Sequence, residues 1–89
     1  MDYREMFNRL YSELSDKALS LNNAYIIKIN NAIHRSLDNL IFEYWWGAHL
    51  DEMEYISVTS SNKAEKDAAN AVAKAMIDIY DKYSKEGNK

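Results

Sequence analysis

The sequence predicts a mainly α-helical protein, a small single domain of about three helices, from three observations. It contains no proline and only two glycines, Gly47 and Gly87, so few positions interrupt a helix. Its apolar residues recur at helical intervals of three and four in three long segments. At 89 residues and 47% hydrophobic composition, the chain is predicted to fold as one domain, residues 1–89, around a modest core.

The first predicted helix starts at Asp2, whose side chain is placed to cap the first turn, and Glu5 three residues later completes a capping box. Such a start is expected where one face of the helix then lies on the core. That face is a single apolar stripe, made of Tyr3, Met6, Phe7, Leu10, Tyr11, Leu14 and Ala18.

The pair Asn22-Asn23 offers a break in the chain and a cap for a second predicted helix. Gly47 is placed to end this helix, because glycine readily adopts the left-handed conformation that follows a last turn. The apolar stripe of the second helix comprises Ile26, Ile29, Ile33, Leu37, Leu40, Ile41 and Tyr44.

Residues 48–60 are predicted to be irregular or to form a short strand. A loop between two helices is the favoured interpretation, and a hairpin with a rival strand over 40–46 is the alternative. The alternative arises from four residue types that prefer extended structure, Tyr55, Ile56, Val58 and Thr59.

A third helix is predicted to begin near Ser61 or Asn62 and to run to about Lys85. The pair Asp78 and Lys82 is spaced by four residues in the favourable order, as expected on a solvated face. The opposite face is apolar, with Ala69, Val72, Ala73, Met76, Ile79, Tyr80 and Tyr83.

The acidic residues are concentrated in the middle of the chain, although the net charge is only −3. Positions 36–62 contain no lysine or arginine, whereas both ends are slightly basic. A local field of one sign attracts a partner of the opposite sign. Because the basic residues are dispersed and balanced by acids, direct nucleic-acid binding is not expected. The central acids are Asp38, Glu43, Asp51, Glu52 and Glu54.

Sequence signals of an enzyme, a metal site or a membrane protein are missing. The chain has no cysteine, no phosphate-binding glycine loop, no GxSxG and no HExxH motif. We therefore expect no catalytic residue, no cofactor and no bound metal, with ordinary structural roles for His34 and His49. The chain shows no signal peptide and no run of about 20 apolar residues, which favours a cytoplasmic protein without membrane contact.

The aromatic run around Trp45 is the strongest interaction signal. On a helix that advances about 100° per residue, Phe42 and Trp46 point away from the stripe that includes Tyr44. Either another part of the same chain covers these two rings, or they form the interface of a homodimer. In the second case Phe42 and Trp46 are the dimer residues, and Trp45 is a candidate anchor for a partner protein.

Two blocks of the sequence resemble a known family. The first is Tyr3-x3-Phe7-x3-Tyr11-x2-Leu14, and the second is Ala32-Ile33-His34-x3-Asp38-Asn39-x4-Tyr44. Both blocks and the spacing between them are similar to the bacteriophage Ocr (overcome classical restriction) antirestriction family, whose members are dimeric, helical DNA mimics. The resemblance covers about the first half of the chain and, beyond Gly47, extends only to the layout.

The resemblance implies an inhibitor that occupies the DNA-binding channel of a host restriction or other defence enzyme, with carboxylates in place of phosphates. Of the matched positions, only Asp38 carries such a charge. A helical adaptor or oligomerisation module without DNA mimicry is therefore the alternative function. In the inhibitor interpretation, the partner-binding residues are Asp38, Glu43, Asp51, Glu52, Glu54 and Trp45.

Overall fold

The computed structural model describes residues 3–36 and 42–87, with side chains at all of these positions except 36, 42, 43, 86 and 87. Within these ranges the chain forms four helices and no strand, which confirms the predicted mainly α-helical fold. Asp2, the predicted cap of the first helix, lies outside the described residues. The helices are α1 (Tyr3–Leu21), α2 (Ala24–Ser36), α3 (Phe42–Thr59) and α4 (Lys63–Gly87).

The predicted break at Asn22-Asn23 separates α1 from α2. Asn22 adopts a left-handed conformation with φ of 51°, which asparagine tolerates better than most residues and which ends α1. The Asn23 Oδ1 atom accepts a hydrogen bond of 3.0 Å from the backbone N–H of Tyr25 and so caps α2. The Asn23 Nδ2 atom donates a second bond of 2.9 Å to the carbonyl of Ala64, which ties this junction to α4.

The start of α4 agrees with the predicted third helix. Asn62 is its N-cap, because the Asn62 Oδ1 atom accepts a hydrogen bond of 3.2 Å from the backbone N–H of Glu65. The Ser60 hydroxyl donates to the Glu65 carboxylate at 2.9 Å and further fixes the first turn. The Asn62 Nδ2 atom donates a hydrogen bond of 3.0 Å to the Tyr25 hydroxyl oxygen. This bond joins the connection between α3 and α4 to the start of α2.

The predictions of an irregular segment over 48–60, of a hairpin there, and of a helix end at Gly47 are wrong. Helix α3 runs without interruption through Gly47 to Thr59. Burial explains the difference: Trp46 and Met53, two turns apart on one side of α3, both lie in the core. This tertiary burial outweighs the strand preference of the last residues of α3, as is common for such weak local preferences.

The two longest helices, α1 and α4, form the centre of the bundle, because each contacts all three other helices. Helix α4 has 25 residues and a length of about 37 Å, which sets the longest dimension of the molecule at 41 Å. Buried alanines on α4 allow close approach of its neighbours. The largest buried side chains around them are Met6, Phe7, Leu10, Leu14, Ile26, Ile33, Val72 and Met76.

Candidate functional site

Helix α3 combines buried apolar residues on its inner side with a group of three exposed large apolar residues on its outer side. Its inner side contributes Trp46 and Met53 to the core. Its outer side exposes 69% of Tyr44, 67% of Tyr55 and 76% of Val58. A helix on the surface of a bundle normally directs polar residues outwards, so the outer side of α3 needs an explanation other than folding.

Five residues of α3, four of them exposed and one, Ala48, half-buried, follow a regular spacing. Tyr44, Ala48, Asp51, Tyr55 and Val58 are separated by alternating intervals of four and three residues, which places them on one side of the helix. The same alternation is found in the contact positions of helices that pair with another helix. We call these five residues the outer α3 stripe.

Carboxylates lie within and beside the outer α3 stripe. Asp51 belongs to the stripe, and Glu54 lies one turn away on the same side of α3; both are exposed. No described lysine or arginine forms an ion pair with either carboxylate. Since α3 itself contains no lysine or arginine, its outer side is a surface of one sign.

Another predicted acid of this helix, Glu52, flanks the outer α3 stripe on the edge opposite to Glu54. Its Oε2 atom lies 3.9 Å from the Nδ1 atom of His49. Glu52 also borders a groove of about 280 Å³ between α2 and α3, together with Lys28 and Glu65 at its polar edge. The three exposed acids of α3 thus do not form a single row of charge, as the phosphates of one DNA strand would.

A second groove, mostly apolar, lies between α3 and α4, and its α3 wall is formed by Trp46, Gly47 and Leu50 rather than by the outer α3 stripe. Its volume is about 270 Å³, below the usual range for small-molecule sites and comparable to one or two large side chains. Gly47 borders it, and a Cβ atom at this position would meet nothing within 4 Å. Ile77 and Tyr80 of α4 form its other wall and are partly exposed.

His49 lies on the inner side of α3 among aromatic rings. Its ring centroid is 5.3 Å from that of Trp45 and 6.4 Å from that of Phe7. Burial lowers the pKa of His49 below its ordinary value of 6.5, and the nearby Glu52 carboxylate opposes that shift. The Nε2 atom is buried without a hydrogen-bond partner among the described residues. The arrangement stabilises a neutral imidazole.

The structure places the predicted partner-binding residues at different depths. Asp51, Glu52 and Glu54 are exposed on α3, and Trp45 is half-buried against His49. Asp38 lies outside the described residues. Glu43 falls within α3, but its side chain is not among those described.

The prediction that Trp46 lies at a dimer surface does not fit its position. Only 3% of Trp46 is exposed, and its ring meets that of Phe7 edge-on at a centroid distance of 4.9 Å. The same chain therefore covers this ring. The prediction assumes one helix from Ile26 to Tyr44, whereas α2 ends at Ser36 and α3 begins at Phe42. The side chain of Phe42, the other predicted dimer residue, is outside the described set.

Tyr44, Tyr55 and Val58 were not predicted as site residues. Tyr44 is predicted in the buried stripe of the second helix, and the other two in the segment that is predicted to be irregular or, in the alternative, a short strand. The sequence did contain a signal, because the four and three spacing from residue 44 to residue 58 is visible once residues 42–59 are treated as one helix.

Within residues 3–36 and 42–87, no group of three or more histidine, aspartate or glutamate side chains is arranged to hold a metal ion. None of the helices described is long and apolar enough to cross a membrane. No protein-family model matches this chain, and neither the curated proteins nor the solved structures include a significant match. The resemblance to the Ocr family therefore stays a prediction.

Proposed function

We propose that this chain is a non-catalytic, cytoplasmic inhibitor that binds a basic site on a host protein through the outer side of α3. The observation that carries the proposal is the combination on one helix of exposed carboxylates, Asp51 and Glu54, with no lysine or arginine along α3. Such a surface steers a cationic partner towards itself and disfavours acidic ones. The basic DNA channel of a restriction or other defence enzyme, which the Ocr resemblance implies, is one site of this kind.

A helical adaptor without DNA mimicry is the second candidate. It is favoured by the exposure of Tyr44, Tyr55 and Val58, because aromatic and aliphatic side chains supply most of the binding energy in ordinary protein interfaces. The two candidates differ in what dominates binding: charge for the mimic, and apolar contact for the adaptor.

Affinity capture from bacterial lysate with two matched baits tests the proposal. The first bait is the parent chain, and the second carries Asp51→Asn, Glu52→Gln and Glu54→Gln, which removes charge at nearly constant shape. We expect a basic host protein to be captured by the parent and depleted at least about tenfold with the second bait. Equal capture by both baits would contradict a charge-directed function.

A titration of the captured protein across a salt series then separates the two candidates. For the mimic, affinity falls steeply with salt, because exposed charges are screened over about 8 Å at physiological ionic strength, and duplex DNA competes for the same site. For the adaptor, binding depends little on salt and is unaffected by DNA. Neutralising the acids slows association in the first case, whereas truncating Tyr55 speeds dissociation in the second.

A further inference from the structure

The apolar positions and the acids of α3 together define a more specific partner than a basic surface. We propose that the outer α3 stripe binds an amphipathic helix whose apolar face is flanked by lysine or arginine. This inference rests on the proposed function, since it names the kind of basic element that the inhibitor binds.

The spacing of the stripe indicates a helical occupant. From Tyr44 to Val58 the stripe covers four turns, about 21 Å, along one straight side of α3. Intervals of four and three residues are those at which two helices interlock along a shared line. An extended strand presents side chains on one face about every 6.6 Å, which does not match the mean step of about 5 Å along the stripe.

Small residues allow the occupant to come close. Ala48 lies in the stripe, and Gly47 beside it has open space where a side chain would be. Helices approach most closely where the residues between their axes are small. Gly47 also borders the apolar groove whose α4 wall is formed by Ile77 and Tyr80.

The charges select a basic helix and disfavour a second copy of this chain. In a symmetric pairing of two α3 helices about the middle of the stripe, parallel or antiparallel, Asp51 faces its own equivalent. The Glu54 carboxylates then lie within one turn of the two Asp51 carboxylates. Carboxylates brought together in this way repel one another, so the pairing is unfavourable. A lysine or arginine opposite Asp51 would instead form an ion pair there, and a charged position within a helical contact line also fixes its register.

Binding of three designed peptides to the full chain tests the proposal. Each peptide has about 18 residues, about 27 Å of helix, and capped ends. The first has leucine and alanine at the four and three spacing, lysine beside them and one lysine at the central position. The second has the same composition in scrambled order, and the third has glutamate in place of every lysine. Fluorescence anisotropy of labelled peptide gives the affinities.

We expect the patterned basic peptide to bind at least about tenfold more tightly than either of the others. Tyr55→Ser combined with Val58→Ser should weaken this binding at least about tenfold, because both side chains leave the contact line. The matched control is Leu19→Ser combined with Ile27→Ser. These positions are 82% and 49% exposed on α1 and α2, and their replacement should change the affinity by less than about twofold.

Equal affinity for the scrambled and patterned basic peptides would overturn the helical partner and leave the proposed function intact. Tighter binding of the acidic peptide would overturn both. Sedimentation of the parent chain provides the remaining outcome: a dimer that Tyr55→Ser and Val58→Ser dissociate would identify a second copy as the occupant of the stripe and overturn the proposal. A parent chain that sediments as a monomer and binds the patterned basic peptide supports the proposal.

Discussion

The outer sides of α3 and α4 are both turned away from the core, yet their chemistry differs. Helix α4 exposes lysines and acids in alternation, for example Lys74, Asp78 and Lys82, as expected of a solvated helix. Helix α3 exposes Tyr44, Tyr55 and Val58 beside carboxylates and contains no lysine or arginine. Helix α4 also exposes Ile77 and Tyr80, but among charged residues of both signs. This difference is the reason why we propose the outer side of α3 as the binding surface.

The largest effect is expected from the contrast between Trp46 and Tyr44, two rings on opposite sides of α3. Trp46→Ala should lower the free energy of unfolding by about 3–5 kcal/mol, because it opens a cavity beside Phe7. Tyr44→Ala should change it by less than about 0.5 kcal/mol, since 69% of that side chain is exposed. Urea unfolding followed by circular dichroism measures both.

The Trp46 effect has an internal control in Trp46→Phe. The indole N–H is buried without a hydrogen-bond partner among the described residues, so phenylalanine removes a polar group that gains nothing from burial. Trp46→Phe should therefore lower the free energy of unfolding by clearly less than Trp46→Ala does. A Tyr44 variant that destabilises as much as the Trp46 variant would refute the assignment of the two sides.

The next effect concerns Asn30, the buried polar residue that joins α2 to α1. Its Nδ2 atom donates to the Tyr11 carbonyl at 3.1 Å and to the Ser15 hydroxyl oxygen at 3.0 Å. Asn30→Ala should lower the free energy of unfolding by about 1–2 kcal/mol, because the Ser15 hydroxyl oxygen loses its donor. The loss is limited because the Tyr11 carbonyl keeps the Ser15 hydroxyl as a donor and the buried, unpartnered Asn30 Oδ1 atom is removed. The neighbouring exposed Asn31 gives the matched control: if Asn31→Ala is equally destabilising in urea, the network does not hold α2 in place.

A substitution at Gly47 should raise the free energy of unfolding, by less than the Asn30 substitution lowers it. Gly47→Ala is expected to raise the free energy of unfolding by about 0.5–1 kcal/mol, because alanine favours the helix and its Cβ atom has open space. Thermal unfolding detects a shift of this size. A loss of stability would show that the outer side of α3 is more tightly packed than the structure indicates.

The smallest expected effect is a pH dependence due to His49. Burial lowers the pKa of His49 in the folded state, so the unfolded state takes up a proton first as pH falls. This contribution to stability is present above pH 6.5 and is lost as pH falls from 6.5 towards the lower folded pKa. His49→Gln should flatten the profile relative to the parent in urea titrations at several pH values.

Local chemistry was sufficient to predict most of the fold. The asparagine pair at 22 and 23, the cap at Asn62 and the stripes of α1 and α4 act within a few residues, so the sequence alone reveals them. Helix α3 could not be predicted this way, because its continuity through Gly47 depends on burial of Trp46 and Met53 by distant helices.

The candidate site was predicted in part. The concentration of acids at 51–54 is visible in the sequence, and all three of these carboxylates are exposed on α3. The apolar half of the surface was missed, because Tyr44 changes from a core residue to a surface residue when the helix phase shifts. That phase is set by the packing of α3 on α1 and α4, which no local pattern specifies.

The most direct test of the account compares backbone amide shifts on the two outer sides when the patterned basic peptide is added. We predict that nuclear magnetic resonance spectra of the full chain show saturating shifts at Ala48, Asp51, Tyr55 and Val58, with amides near Lys74 and Lys82 unchanged. Saturating shifts confined to α4, or equal shifts on both helices, would contradict the assignment of the outer α3 stripe as the binding surface.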